Sequence, residues 1–156
     1  MAKDVRKQLE RSIPREGTRG LIAGARALER ANRDARAQDL LRRSRVPVAR
    51  LELFLLQRRQ GQLPQARKEL REFSSGIAAG AWPAPLVRAY LGGMKNDAVL
   101  AAARDPDEQC DAYYYLGRLH APEDASVARR QLLRAANEDC DQAELAREEL
   151  QALQSR

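Results

Sequence analysis

The chain has 156 residues, a formal net charge of +6 and an aromatic content of 4%. This length allows a domain with a hydrophobic core, and no stretch reaches the roughly 18 apolar residues that a membrane-spanning helix needs. The apolar residues are mostly Leu and Ala, which favour helices, and alternating runs of β-branched residues are scarce. The sequence therefore predicts an all-α protein without a membrane span.

The positive charge is concentrated in the first half of the chain. Residues 1–78 contain 19 basic and 9 acidic residues, a net charge of +10, whereas residues 79–156 contain 9 and 13, a net charge of −4. Only four of the 28 basic residues are lysines, and arginine binds carboxylates and phosphates through paired hydrogen bonds. This pattern favours an acidic partner. The alternative is that the arginines only form the solvated faces of amphipathic helices.

Apolar residues at helical spacing, interrupted by proline, glycine and asparagine, divide the chain into helical segments. A short helix is predicted over residues 1–14, with Pro14 at its end. Helical hairpins are predicted over residues 17–45 and 47–76. In each hairpin, two short helices are joined by a turn that contains Asn or Gly.

The second half continues in the same way. Hairpins are predicted over residues 82–104 and 111–140, the first of them starting at Trp82, and a capping helix is predicted over residues 141–155. The outer face of this last helix is rich in Glu and Gln, as expected at the end of a repeat array. The whole chain, residues 1–156, is thus expected to form a single domain.

The hairpin over residues 111–140 has the most regular pattern. Its first helix carries a large residue, then Leu-Gly, then a further large residue at the Trp-x2-Leu-Gly-x2-Tyr spacing of a tetratricopeptide repeat, and its second helix matches the small, large and small positions. The positions that we expect to be structural are Tyr113, Leu116, Gly117, Ala128, Leu132, Ala135, Trp82 and Leu91. The expected fold is an all-α, tetratricopeptide-like solenoid of about four antiparallel hairpins plus a C-terminal capping helix.

The residues from about Leu53 to Leu153 also resemble a known family, the C-terminal half of the NlpI-type bacterial tetratricopeptide lipoproteins. The residues that carry the resemblance are Trp82, Tyr90, Leu91, Gly92, Leu100, Tyr114, Tyr115, Leu116, Gly117, Arg118, Ala128, Ala135, Glu144, Ala146, Glu149 and Leu150. The resemblance implies a non-enzymatic scaffold that docks proteases or cell-wall enzymes at the bacterial envelope.

Three successive tyrosines suggest a binding surface. Residues that follow each other on a helix point about 100° apart, so with Tyr113 facing the partner helix, Tyr114 is expected to face a concave groove. Arg118 lies four residues further along the same face, and Tyr and Arg are common in binding hot spots. The predicted partner-binding residues, with those at equivalent spacing in the earlier hairpins, are Tyr114, Arg118, Arg58, Leu55, Arg26 and Ile22. The alternative is a solvated face without a specific ligand.

Cys110 and Cys140 are the only two cysteines. They are predicted just before the first helix and at the end of the second helix of one hairpin, and hence at the same end of an antiparallel pair. A disulfide is allowed if their Cα atoms lie within about 7 Å. The alternative is two reduced, partly buried thiols.

No residue pattern indicates catalysis, a metal or a cofactor. Two cysteines and the single histidine, His120, do not supply a four-ligand zinc site. A general base also needs an orienting carboxylate and a nucleophile nearby, whereas the repeat pattern assigns His120 a packing position. The short basic clusters lack the interleaved aromatic residues of nucleic-acid-binding proteins. We therefore expect neither an enzyme nor a nucleic-acid partner.

The expected function is that of a non-enzymatic adaptor that binds a peptide or a partner protein in a concave helical groove. The alternatives are a small immunity or inhibitor protein that blocks an effector, and a secretion chaperone. The N-terminus has no apolar signal segment, so the chain as written is expected in the cytoplasm. Had a leader been removed from it, a periplasmic location would apply.

Overall fold

The computed structural model describes residues 18–155, all of whose regular elements are helices. Nine helices lie in this range, and most of them pack against their neighbours in sequence. The prediction of an all-α protein is therefore confirmed, whereas the expected helix over residues 1–14 lies outside the described residues. None of the helices between residues 18 and 155 has the length and hydropathy needed to cross a membrane.

The helices are short, with connections of a few residues between most of them. Their bounds are α1 (18–30), α2 (Asp34–Arg43), α3 (Ala49–Arg59), α4 (Leu63–Ser74), α5 (Ala84–Tyr90), α6 (Asn96–Ala102), α7 (Pro106–His120), α8 (Ala125–Asn137) and α9 (Ala143–Gln154). The chain forms two compact units, Met1–Ala66 and Arg67–Arg156, and the boundary between them falls inside α4.

The first unit has a core of small and branched apolar side chains. α1, α2 and α3 contribute to it, and its buried members are Ala25, Ala37, Leu41, Ala49, Leu53 and Leu56. The alanines let the helices approach closely, and the leucines fill the space between them. At the surface, the guanidinium of Arg59 on α3 donates two hydrogen bonds of 3.0 Å to the carboxylate of Glu29 on α1.

In the second unit, α7 is the central helix, since it packs against α5, α6, α8 and α9. It begins at Pro106, where the carboxylate of Asp105 accepts a hydrogen bond of 2.8 Å from the backbone N–H of Glu108. An aspartate at the N-cap with proline at the first helical position is a favourable helix start. The helix therefore begins five residues before the predicted hairpin start at residue 111, because Asp105 and Pro106 cap the helix instead of breaking it.

Gly117 of α7 lies at a close contact with α8. A Cβ atom added to this glycine would lie 2.7 Å from Cγ of Leu132 and 3.3 Å from the carbonyl oxygen of Ala128, both on α8. Leu116, Ala128 and Leu132 are buried around this crossing. The close approach of α7 and α8 thus requires glycine at this position.

We expect the substitution Gly117→Leu to lower the free energy of unfolding by at least about 2 kcal/mol, because the new side chain overpacks the α7–α8 contact. Urea titration of the variant measures the loss. Gly80→Leu is the matched control, since a Cβ atom at Gly80 meets nothing within 4 Å. Equal losses in the two variants would contradict the role of Gly117 in the contact.

Candidate functional site

An open groove of about 990 Å³ lies between α6, α7 and α8 in the second unit. We call it the α6–α8 groove. Apolar side chains from all three helices line it, among them Leu100 of α6, Leu119 of α7 and Val127 and Leu133 of α8. Leu133 has 45% of its surface exposed and is one of two large apolar residues that are exposed in the described part of the chain. The groove therefore offers an accessible apolar surface.

Helix starts and ends fix which side chains face this groove. The carboxylate of Asp124 accepts a hydrogen bond of 3.2 Å from the N–H of Val127 and so sets the start of α8. With Ala128, Leu132 and Ala135 of α8 buried against the rest of the unit, Arg130, Leu133 and Arg134 lie on its other face. On the opposite side of the groove, Gly92 ends α5 in the left-handed region, with φ of 83°. This conformation favours glycine.

Tyr113 and Arg134 form the most specific contact in the groove. The guanidinium carbon of Arg134 lies 5.5 Å from the centre of the Tyr113 ring, within the distance at which a cation is attracted to an aromatic face. Tyr113 is half-buried and Arg134 is exposed. The pair brings an aromatic ring and a cation together beside the exposed Leu133.

His120 and Asn96 join α7 to α6 at the edge of the groove. The Nε2 atom of His120 lies 3.0 Å from Oδ1 of Asn96, the first residue of α6. Both side chains line the groove and are half-buried. His120 thus lies at the surface of the groove, in a position that was predicted for packing only.

The ionic side chains of the lining are three cations, Lys95, Arg130 and Arg134, and one carboxylate, Asp97. The three cations are exposed. Among residues 18–155, no carboxylate forms an ion pair with any of these cations. The groove is therefore apolar along its surface and positive at its edges.

A second polar cluster lies at α7 and surrounds the carboxyl group of Asp111. Its Oδ2 accepts a hydrogen bond of 3.1 Å from Nε1 of Trp82, and its Oδ1 accepts one of 2.6 Å from Nε2 of Gln142. The pKa of Asp111 is raised to about 7, mainly by burial and also by the nearby carboxylates of Glu108, Asp105 and Asp141, against the lowering effect of the Trp82 hydrogen bond. A carboxyl group here takes up its proton near neutral pH.

The structure joins Cys110 and Cys140 in a disulfide, with a distance of 6.4 Å between the two Cα atoms. Cys110 lies inside α7, and not before it as predicted, because α7 starts at Pro106. Cys140 follows the end of α8. The bond therefore connects the first turns of α7 to the loop between α8 and α9, next to Asp111 and Gln142. An oxidising compartment favours such a bond.

The structure corrects the predicted placement of Tyr114 and Arg118. Tyr114 is fully buried and Arg118 is 6% exposed, so neither side chain faces an open groove. The guanidinium of Arg118 donates a hydrogen bond of 3.3 Å to the hydroxyl of Tyr114, and its Nε lies 3.6 Å from a carboxylate oxygen of Glu149 on α9. α9 covers the face on which these two residues were expected to be exposed.

The four remaining predicted contact residues belong to the first unit. Ile22 and Leu55 are buried, at 2% exposure each, and are therefore core residues and not groove contacts. Arg26 and Arg58 are half-buried. The structure does not bring these four side chains to the α6–α8 groove, whose lining belongs entirely to the second unit.

The positions predicted as structural lie largely in the interior. Leu116, Gly117, Ala128, Leu132 and Ala135 are buried where α7 meets α8. Trp82 and Leu91 are half-buried, and Trp82 has its indole N–H bonded to Asp111. Tyr113 is the exception, because it lines the groove.

The sequence interpretation missed Arg130, Leu133 and Arg134. A usable signal was present in α8, where Ala128, Leu132 and Ala135 define the buried stripe. Leu133 lies beside this stripe, and Arg130 and Arg134 are four residues apart on the outer face. Helical spacing therefore places these three residues on the outer side of α8, whereas the groove beside them depends on how α6 and α7 pack.

No protein-family model, no curated protein and no solved structure matches the chain. What is established is an all-α chain in which nine helices between residues 18 and 155 pack mostly as sequential neighbours.

Proposed function

We propose that the protein is a non-enzymatic adaptor that binds a segment of a partner protein in the α6–α8 groove. The observation that carries this proposal is the exposed apolar surface at Leu133, next to the cation–π pair of Tyr113 and Arg134. Aromatic and arginine side chains contribute most often to binding hot spots. A volume of about 990 Å³ is enough for several side chains of a peptide, since pockets for single small ligands measure about 300 to 1,000 Å³.

We further propose that the helices of the second unit form a tetratricopeptide-like array. Support comes from contacts between helices that are two apart in sequence: α5 packs against α7, and α7 packs against α9. In a repeat array, the first helices of successive hairpins contact each other in this way, because each hairpin buries its apolar face on the next. The α6–α8 groove then lies on the second helices of two adjacent hairpins.

The proposal is tested by selecting random linear peptides, displayed on phage, on the immobilised wild-type protein. Peptides that bind in the groove should lose at least about tenfold in affinity for Leu133→Glu, because the substitution places a charge at the centre of the apolar surface. Fluorescence anisotropy with the synthetic selected peptides measures this loss.

The matched control is Leu40→Glu, since Leu40 is the second large apolar residue that is exposed in the described chain, at 37%, and it lies on α2 in the other unit. The control variant should bind the selected peptides as the wild type does. Two results would rule out the groove as the binding site. Either the selected peptides bind Leu133→Glu as tightly as Leu40→Glu, or no peptide is selected at all.

A further inference from the structure

We infer that the partner segment is acidic and amphipathic, with carboxylates that bind Arg130 and Arg134 on one side of the α6–α8 groove and Lys95 on the other. Its apolar side chains then lie on Tyr113 and Leu133. The inference rests on the proposed function and specifies the chemistry of the partner.

The first argument is that these cations lack compensation within the described chain. Some arginines outside the groove pair with carboxylates: Arg59 pairs with Glu29 at 3.0 Å, Arg104 with Glu108 at 3.4 Å and Arg118 with Glu149 at 3.6 Å. Lys95, Arg130 and Arg134 have no such partner among residues 18–155. Three cations that are not paired with carboxylates, beside the single carboxylate of Asp97, leave a local positive potential at the groove.

The second argument concerns the surroundings of the groove. Residues 79–156 carry 9 basic and 13 acidic residues, a net charge of −4. The groove lining has the opposite balance, with three cations against the single carboxylate of Asp97. The positive potential is thus a local property of the groove. A negatively charged segment is attracted to the groove and repelled by the rest of this half of the chain.

The third argument is the geometry of the arginines. Arg130 and Arg134 are four residues apart on α8, so their side chains start from points about 6 Å apart. Carboxylates two residues apart on an extended segment have nearly this spacing, at about 6.6 to 6.8 Å. The guanidinium carbon of Arg134 lies 5.5 Å from the centre of the Tyr113 ring. A cation–π contact uses no N–H hydrogen bond, so the N–H groups of Arg134 remain available for a bidentate carboxylate contact.

The test uses three displayed peptide libraries that share the same randomised apolar positions. In one library the remaining positions encode Asp, Glu and Ser, in the second Lys, Arg and Ser, and in the third Asn, Gln and Ser. Each library is selected on the wild-type protein and counter-selected on Leu133→Glu. We expect groove-dependent binders to come from the acidic library, with an affinity that falls as NaCl rises from about 50 to about 500 mM.

Charge reversal tests the named arginines. The double substitution Arg130→Glu/Arg134→Glu should lower the affinity for the selected acidic peptides by about 30-fold or more. It should also allow groove-dependent peptides to be selected from the basic library. The matched control is Arg43→Glu, because Arg43 is an exposed arginine of α2 in the other unit. It should leave the affinity of these peptides unchanged.

The outcomes separate the two proposals. If peptides from the neutral library bind the groove as tightly as peptides from the acidic library, the inference of an acidic partner is wrong and the adaptor proposal still stands. Absence of groove-dependent binders from all three libraries overturns both. A labelled oligothymidylate that binds with the same dependence on Arg130 and Arg134, and that displaces the acidic peptides, would assign the groove to nucleic acid and overturn the inference.

Discussion

We expect reduction of the Cys110–Cys140 disulfide to lower the free energy of unfolding of the second unit by about 3 to 4 kcal/mol. The two cysteines are 30 residues apart, and a cross-link over a loop of this length removes a corresponding amount of conformational entropy from the unfolded chain. Urea titration with and without dithiothreitol measures the loss. The fluorescence of Trp82, the single tryptophan, follows the second unit because Trp82 is hydrogen-bonded to Asp111.

The double variant Cys110→Ala/Cys140→Ala is the control for this measurement. It should be at least as destabilised as the reduced wild type and should not respond to dithiothreitol. If reduction left the unfolding midpoint of the wild type unchanged, the cross-link would contribute no stability.

The second large effect is expected from pH, through Asp111. Its pKa is about 7 in the folded protein, against an ordinary value of 3.8. Between these two values the folded chain holds a proton that the unfolded chain has lost, so this group's contribution to stability is greatest below about pH 4 and is lost as the pH rises to about 7. A tenfold difference in proton affinity corresponds to about 1.4 kcal/mol, so the total loss is on the order of 4 kcal/mol.

The substitution Asp111→Asn isolates this effect. The side-chain oxygen of an asparagine still accepts the hydrogen bond from the Trp82 N–H. Its NH2 group can donate to the side-chain oxygen of Gln142 after the Gln142 amide flips. We expect the stability of the variant relative to the wild type to be greater at pH 8 than at pH 5 by about 2 to 3 kcal/mol, because the wild type loses most of the Asp111 contribution between these two pH values. Urea titrations at the two pH values measure this difference. Asp139→Asn, an exposed carboxylate in the same unit, is the control and should follow the wild type.

The helical architecture was predictable because its signals are local. Spacing of apolar residues, proline and glycine predicts most helices close to their observed bounds, and the repeat pattern marks Gly117 as a structural position. The predicted hairpin start at residue 111 differs from the observed start of α7, because an Asp-Pro pair, here Asp105 and Pro106, is typical of a break between helices. The same two residues also form a capped helix start, as the hydrogen bond that the N–H of Glu108 donates to the carboxylate of Asp105 shows.

The candidate site was much less predictable because it depends on which faces of α7 are covered. Tyr113, Tyr114 and Tyr115 point in three directions, and the helices packed around α7 bury the last two completely. A repeat template assigned the inner position to Tyr113 and the open one to Tyr114, and the structure shows the reverse. The unusual pKa of Asp111 depends likewise on tertiary contacts, since Trp82 and Gln142 are 29 and 31 residues away in sequence.

The disulfide also has a consequence for how the groove can move. It closes a covalent ring from Cys110 to Cys140, and this ring contains all of α8 and most of α7, including Tyr113, Leu133 and Arg134. α6 lies outside the ring, is seven residues long and has no side-chain hydrogen bond at its N-cap. Amide hydrogens of α6 should therefore exchange faster than those of α7 and α8. We therefore expect α6 to move when the groove adapts to a partner, whereas α7 and α8 stay fixed relative to each other because the disulfide joins them.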